Sequence, residues 1–121
     1  MSIPLRIKVG PMVIRVTLDA DPVREHRIER GLSPDDGMAI SHMHAQTIAI
    51  RPDLGPDQMR DSLLHEVLHW CVVVSGVQRV GEEWRDAEEG FVSAISPTLL
   101  GVLRDNPELV EYLMSTEDED S

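Results

Sequence analysis

The sequence is poor in aromatic residues and in cysteine. Phe, Trp and Tyr together make up only 3% of the 121 residues, so a core must be built from Val, Ile, Leu and Met. Cys71 is the single cysteine, which excludes an internal disulfide. No apolar run approaches the roughly 18 residues of a membrane-spanning helix, and the N-terminus lacks the layout of a signal peptide. We therefore expect a soluble, cytoplasmic protein without a membrane partner.

Positive charge is also scarce. The chain has 11 Lys and Arg against 22 Asp and Glu, which gives a formal net charge of −11. Such a surface repels phosphate backbones, so we expect no nucleic-acid partner. Residues 115–121 carry four consecutive acidic residues and are predicted to be a disordered tail. Residues 1–114 are long enough for a single domain with one core.

Alternating apolar and polar residues predict four strands arranged as two hairpins. A polar segment over 19–36 separates the hairpins and is interpreted as a loop with one short helical turn near Val23–Glu29. The strands are expected over residues 3–9, 12–18, 38–43 and 46–51, with turns at Gly10-Pro11 and His44-Ala45.

Helical spacing of apolar residues dominates the second half of the chain. Pro56 at a first helical position and Gly76 after the last one predict a helix over about 56–74. A second helix should start near 82–84 and run to Leu103, with Pro97 kinking or splitting it. A last short helix is expected from Asn106-Pro107 to Leu113. Strands followed by helices predict an α+β fold, with a small antiparallel sheet packed on the helices.

The first of these helices contains the pattern H-E-x-x-H. His65 and His69 are four residues apart, so their side chains lie on one face and can reach one metal ion at about 2.0–2.1 Å. Glu66 lies about 100° further round the helix, where it can contact a metal-bound water as a general base. The pattern is typical of zinc metallopeptidases. A histidine pair on a helix also occurs as ordinary surface residues, but a buried, unpaired Glu66 would cost several kcal/mol that a metal offsets.

A third zinc ligand must come from elsewhere in the chain. Catalytic zinc sites use three protein ligands and leave one position open. The longer pattern H-E-x-x-H-x-x-G-x-x-H fails, because Val72 and Ser75 stand where Gly and His are required. Carboxylates at the start of the second helix are the candidates, although most such clusters are solvated. They are Glu82, Glu83, Asp86, Glu88 and Glu89.

The motif and the helix after it resemble small zinc metallopeptidases encoded by phages and prophages, of the gluzincin type and related to ImmA/IrrE-type metallopeptidases. Those proteins follow H-E-x-x-H with a helix of the form E-x-x-A-N-x-F-A-x-x-L-L. The matching stretch here is 89–100, which begins with Glu89 and ends with Leu99 and Leu100. The likeness covers most of residues 3–113; Pro97 and the serines at 93 and 96 depart from the pattern.

The resemblance implies a minimal zincin-like domain that hydrolyses peptide bonds with one zinc ion per chain. His65, His69 and Glu89 would be the ligands, with Glu88 as the alternative third ligand, and Glu66 the general base. It also implies that the strand over 46–51 lines the substrate cleft, with Thr47, Ile48 and Ala49 binding a peptide by strand addition. If the protein is phage-encoded, it would act in the host cytoplasm. The competing interpretation is a catalytically silent, zinc-stabilised domain that binds a host or phage protein.

Three further histidines have less specific signals. His42 and His44 would face the same side of a strand, where they either join a metal site or are plain turn residues. His26 lies in a charged stretch and is interpreted as solvated. No oxyanion-stabilising residue is identified by spacing, and the candidates are His42, His44, Tyr112 and Arg104. Trp70 and Trp84 either cover the zinc site or pack in the core.

Overall fold

A computed structural model describes residues 2–76 and 88–116 of the chain. They form four strands and four helices around one core. In chain order, the elements are β1 (Arg6–Val9), β2 (Met12–Leu18), α1 (Asp21–Glu29), β3 (Ala39–His42), β4 (Thr47–Ile50), α2 (Pro56–Ser75), α3 (Glu88–Asp105) and α4 (Pro107–Met114). The α+β class and both predicted hairpins are therefore confirmed.

The prediction of an all-antiparallel sheet is wrong. The strand order is β1-β2-β4-β3, and β2 pairs with β4 in parallel. Leu18 at the end of β2 and Ala39 at the start of β3 both pair with Ile50 of β4, so β3 begins at the end of the sheet where β2 finishes. Between these strands the chain forms α1, a full helix of nine residues where only a helical turn was expected, and β4 then lies between β2 and β3. An inner position suits β4, because Ile48, Ala49 and Ile50 are all buried.

The core lies between the sheet and the later helices. One face of the sheet contributes alternate apolar residues, as the period of two requires, and α2 contributes the largest helical share. The buried residues from the sheet are Ile7, Val9, Ile14, Val16, Ile48 and Ile50, and those from α2 include Leu63, Val67, Trp70 and Cys71. Val23 of α1 and Ala49 of β4 are also buried but lie outside this cluster. Ala49 faces the opposite side of the sheet from Ile48 and Ile50, and α1 contacts β3 and β4.

The ends of α2 follow the sequence signals. Gly55 is its N-cap, Pro56 is its first residue, and Gly76 adopts a left-handed conformation with φ 71° at its C-cap. Pro97 does not split the next helix, which runs without interruption from Glu88 to Asp105. No helix in the described ranges is both long enough and apolar enough to cross a membrane. Residues 77–87, which include the predicted start of the second helix near 82–84, and the predicted tail from 117 onward lie outside the described residues.

The two outer edges of the sheet differ. On β1, the side-chain amide of Asn106 is hydrogen-bonded to the outward backbone groups of Lys8. On β3, the backbone of Met38 faces β4, because its carbonyl accepts from the N–H of Arg51 at 2.9 Å. Alternation then turns the backbone groups of Ala39 and Ser41 outward. Within the described part of the chain, no strand pairs with this outer side of β3.

Candidate metal centre

The middle of α2 presents the H-E-x-x-H residues next to β3. His65 and His69 are exposed, whereas Glu66 is buried, with only 7% of its surface accessible. Glu66 shares its side of the helix with the buried Ser62 and Leu63, and α2 contacts both β3 and β4 there. The helix therefore places two imidazoles in solvent and one carboxylate at the junction with the sheet.

The two imidazoles converge on one point. Their Nε2 atoms are 3.1 Å apart, and the rings are inclined at 76° with centroids 4.8 Å apart. Two nitrogens bound tetrahedrally to zinc at about 2.0–2.1 Å are separated by about 3.3 Å. The observed spacing is close to that value. It also suits a direct hydrogen bond between one protonated and one unprotonated nitrogen, so the distance alone fits both a metal-bound pair and a metal-free pair.

The carboxylate of Glu66 completes a group of three donors. One ligand atom from each of His65, Glu66 and His69 lies within 4.8 Å of the others. Two imidazole nitrogens and one carboxylate oxygen are a donor set that zinc accepts. These residues are therefore able to hold a metal ion between them. Glu66 lies near enough to be a ligand itself, as well as the general base that its position on the helix predicts.

Ser41 of β3 binds Glu66 and was not identified from the sequence. Its hydroxyl donates a 2.8 Å hydrogen bond to Oε1 of Glu66. Ser41 pairs with Ile48 in the sheet, and this register sets it opposite α2. The alternation of 38–43 was visible in the sequence, but the contact depends on how β3 docks on α2. No local pattern carries that information.

A cleft opens in front of the three residues. Its volume is about 700 Å³, and β3 and the turn after it form one wall. All five histidines of the chain line it. His26 is partly exposed and lines this cleft, and His42 and His44 lie in the same cleft as the motif. Within the described residues, however, only the group formed by His65, Glu66 and His69 has metal-binding spacing.

A second cavity of about 350 Å³ continues the cleft along β3 in the opposite direction. It shares Ala39, His65 and Glu66 with the first cavity. Its remaining lining residues are Arg27, Asp36, Gly37, Met38, Asp61 and Ser62. The two cavities thus form one groove that follows residues 36–45, with the motif at its middle.

The expectation that 46–51 binds a peptide by strand addition is wrong. β4 is paired with β2 on one side and with β3 on the other, so its backbone groups are already used. Ile48 and Ala49 are buried, and Thr47 pairs with both Arg15 and His42. The strand that borders the groove is β3. β4 is the last strand in the sequence, but the spatial strand order β1-β2-β4-β3 places β3 at the edge of the sheet.

Several other candidates lie away from the groove. Trp70 and Tyr112 are fully buried core residues, which removes Trp70 as a cover for the site and Tyr112 as an oxyanion partner. Burial raises the pKa of the Cys71 thiol, so it stays protonated at neutral pH and is a core residue as expected. Arg104 is exposed in the last turn of α3 and does not line the groove.

For the predicted third ligand, Glu89 or Glu88, the structure gives the position of the backbone and not that of the side chain. Glu88 and Glu89 open α3, and that helix contacts α2. The side chains of Glu88 and Glu89 lie outside the described part of the structure, as do Trp84 and the acidic residues at 82, 83 and 86. The choice between Glu89 and Glu88 therefore stays a prediction.

Neither a protein-family model, nor a curated protein, nor a solved structure matches this chain.

Proposed function

We propose that the protein is a zinc-dependent metallopeptidase. The observation that carries the proposal is the convergence of the His65 and His69 Nε2 atoms to 3.1 Å, with the Glu66 carboxylate beside them. This is the arrangement that H-E-x-x-H produces on a helix when two imidazoles bind one ion and the intervening glutamate serves as base. The groove in front of it supplies room for a polypeptide.

The residues of the chain divide the chemistry between them. When bound, a zinc ion would lower the pKa of a coordinated water to about 7, which supplies a nucleophile at neutral pH. His65 and His69 would hold the ion. Glu66 accepts the proton of the attacking water and returns it to the leaving amine. Its burial beside β3 suits that role, because a dry site strengthens each electrostatic contact.

Glu89 is our proposal for the third ligand, with Glu88 as the alternative. Both stand in the first turn of α3, which contacts α2. A carboxylate from a second helix would complete the three-ligand set that leaves one zinc position open. It would also tie α3 to α2 through the ion.

The substrate backbone would pair with β3. Ala39 and Ser41 turn their N–H and C=O groups away from β4, and the groove runs past them. An extended peptide that adds to this edge makes main-chain hydrogen bonds, a mode of recognition that tolerates many sequences. Such a peptide lies directly over Glu66, since Ser41 touches that carboxylate.

Hydrolysis of an unfolded protein tests the proposal. Zinc-loaded protein should cleave denatured casein, a chelator should stop the reaction, and added zinc should restore it. His69→Ala should remain inactive at every zinc concentration. Glu108→Gln is the matched surface control, because Glu108 is an exposed carboxylate on α4, away from the groove. A zinc-loaded wild type without activity on any unfolded substrate would contradict the proposal.

The second candidate is a zinc-stabilised binding domain without catalysis. It is favoured by the outer side of β3, which no described strand pairs with and which can take up a partner strand whether or not that strand is cleaved. In that case zinc would raise the stability, but the partner peptide would be recovered intact. Mass spectrometry of the bound peptide separates the two candidates.

A further inference from the structure

One hydrogen bond fixes the orientation of the Glu66 carboxylate. Oε1 of Glu66 accepts from the Ser41 hydroxyl at 2.8 Å. Among the described residues, Ser41 is the only side chain that donates to this carboxylate. Only 7% of the surface of Glu66 is accessible, so water has little room to replace the Ser41 hydroxyl as a hydrogen-bond donor. The contact therefore restrains the rotation of the carboxylate.

The position of Ser41 follows from the sheet. Side chains alternate along β3, so Ser41 shares a face with Ala39, and both line the groove together with Glu66. The backbone groups of Ser41 lie at the outer edge of β3, where none of the strands described in the structure pairs. Ser41 thus contacts Glu66 through its side chain and exposes its backbone N–H and C=O groups to the groove.

The spacing of the site leaves Glu66 with two possible roles. One of its oxygens and the imidazole nitrogens lie within 4.8 Å of one another, so a small rotation would bring the carboxylate to a shared metal ion. A carboxylate bound to the ion is a poorer base, because the ion withdraws its negative charge. The hydrogen bond from Ser41 restrains this rotation, since Oε1 would have to leave its 2.8 Å contact with the hydroxyl.

We infer that Ser41 is a positioning residue that holds Glu66 as a base beside the metal centre and keeps it from becoming a ligand. This inference rests on the proposed function for its kinetic part. Ser41 itself touches neither the substrate's reacting atoms nor the ion. It acts by holding Glu66, and its open main chain brings a paired peptide into register with that carboxylate.

The contact is tested first without metal or substrate. A double-mutant cycle combines Ser41→Ala with Glu66→Leu, and urea unfolding is followed in the presence of a chelator. A hydrogen bond to a buried charge should give a coupling of roughly tenfold or more in the unfolding equilibrium constant. Additive effects of the two changes would overturn the inference, and this readout stands whether or not the protein is a peptidase.

The positioning role is tested with zinc-loaded protein. Ser41→Ala should lower kcat by roughly tenfold or more while KM and zinc content stay near wild type, and Ser41→Thr should restore kcat because it keeps the hydroxyl. Thr17→Val is the matched control, since Thr17 is a sheet residue whose hydroxyl donates to the carbonyl of Ile48 and does not line the groove. An unchanged kcat in Ser41→Ala, or loss of zinc from it, would overturn the inference.

Cobalt(II) provides a readout apart from activity. If Ser41 keeps Glu66 off the ion, the visible spectrum of cobalt-loaded protein should change in Ser41→Ala, and the wild-type spectrum should return in the Ser41→Ala, Glu66→Gln double variant. Identical spectra for wild type and Ser41→Ala would overturn the inference. Absence of hydrolysis in every form, with the folding coupling intact, would contradict the proposed function alone.

Discussion

The side chain of Asn106 pairs with the backbone of Lys8, 98 residues earlier in the chain. Its Oδ1 accepts from the Lys8 N–H at 2.8 Å, and its Nδ2 donates to the Lys8 carbonyl at 2.8 Å. The same Nδ2 donates to the carbonyl of Val102 at 2.7 Å, near the end of α3. Asn106 therefore takes the place of a neighbouring strand on β1, while the outer side of β3 has no such cover among the described residues.

Replacing Asn106 by Asp should destabilise the protein by about 2 kcal/mol. The carboxylate can still accept from Lys8, but it cannot donate to the two carbonyls, which lose their partner. Urea unfolding measures the loss. Asp105→Asn is the control, because Asp105 forms only an exposed ion pair with Lys8 at 3.9 Å, a type of contact that contributes little. Equal stabilities for the two variants would show that the amide does not close this edge.

Proline at position 39 should block the substrate without unfolding the sheet. The N–H of Ala39 points outward and is not used by β4, so proline is tolerated there as on other strand edges. The substrate loses one backbone donor, and KM for an extended peptide should rise several-fold.

Ile40→Pro is the comparison for that variant. Ile40 pairs with Ala49, and its N–H faces β4, so proline removes a ladder hydrogen bond and should lower the melting temperature. An unchanged KM in a folded Ala39→Pro variant would mean that substrates do not pair with β3.

Glu89→Ala should lose zinc, whereas Glu88→Ala should retain it. The two residues are adjacent on α3, and neighbouring positions of an α-helix differ by about 100° about its axis, so we expect only one of the two substitutions to remove a ligand. Elemental analysis of protein purified without chelator decides between them. Zinc lost only from Glu88→Ala would reverse the assignment, and zinc retained in both variants would place the third ligand elsewhere.

Zinc should raise the stability of the fold. Binding to the native state stabilises it by about 4 kcal/mol at a thousandfold excess over Kd. The melting temperature should fall on chelation, and it should not respond to zinc in His69→Ala. His44→Ala should respond as wild type does, because His44 lines the cleft but is not one of the three residues with metal-binding spacing. A loss of the response in both variants would point to binding by the histidine-rich cleft as a whole.

Local patterns predicted the elements well, because the forces behind them are local. The apolar spacing of α2, with Pro56 at its start and Gly76 at its end, placed a helix within one residue of its observed bounds. The period of two placed β2 correctly over Met12–Leu18. The spacing of His65 and His69 followed from helix geometry alone, and their nitrogens do converge.

Contacts between secondary-structure elements could not be predicted from local sequence patterns. The parallel pairing of β2 with β4 joins strands that are distant in the chain, and it leaves β3, not 46–51, at the edge of the sheet. The Ser41–Glu66 contact depends on that same arrangement. His26, His42 and His44 belong to no motif in the sequence, so their position near His65 and His69 could not be predicted. The fold brings all three to the cleft in front of the motif.

The measurement that tests the central claim most directly is zinc content and hydrolysis, made in parallel on wild type and Glu66→Gln. Glutamine retains the shape and the hydrogen bond from Ser41 but cannot accept the proton. General base catalysis is worth about 10²–10⁴ in rate, so we predict that hydrolysis falls by that factor while zinc stays near one per chain. Equal hydrolysis by both proteins would contradict the role of Glu66 as base, and joint loss of zinc and activity would make Glu66 a ligand.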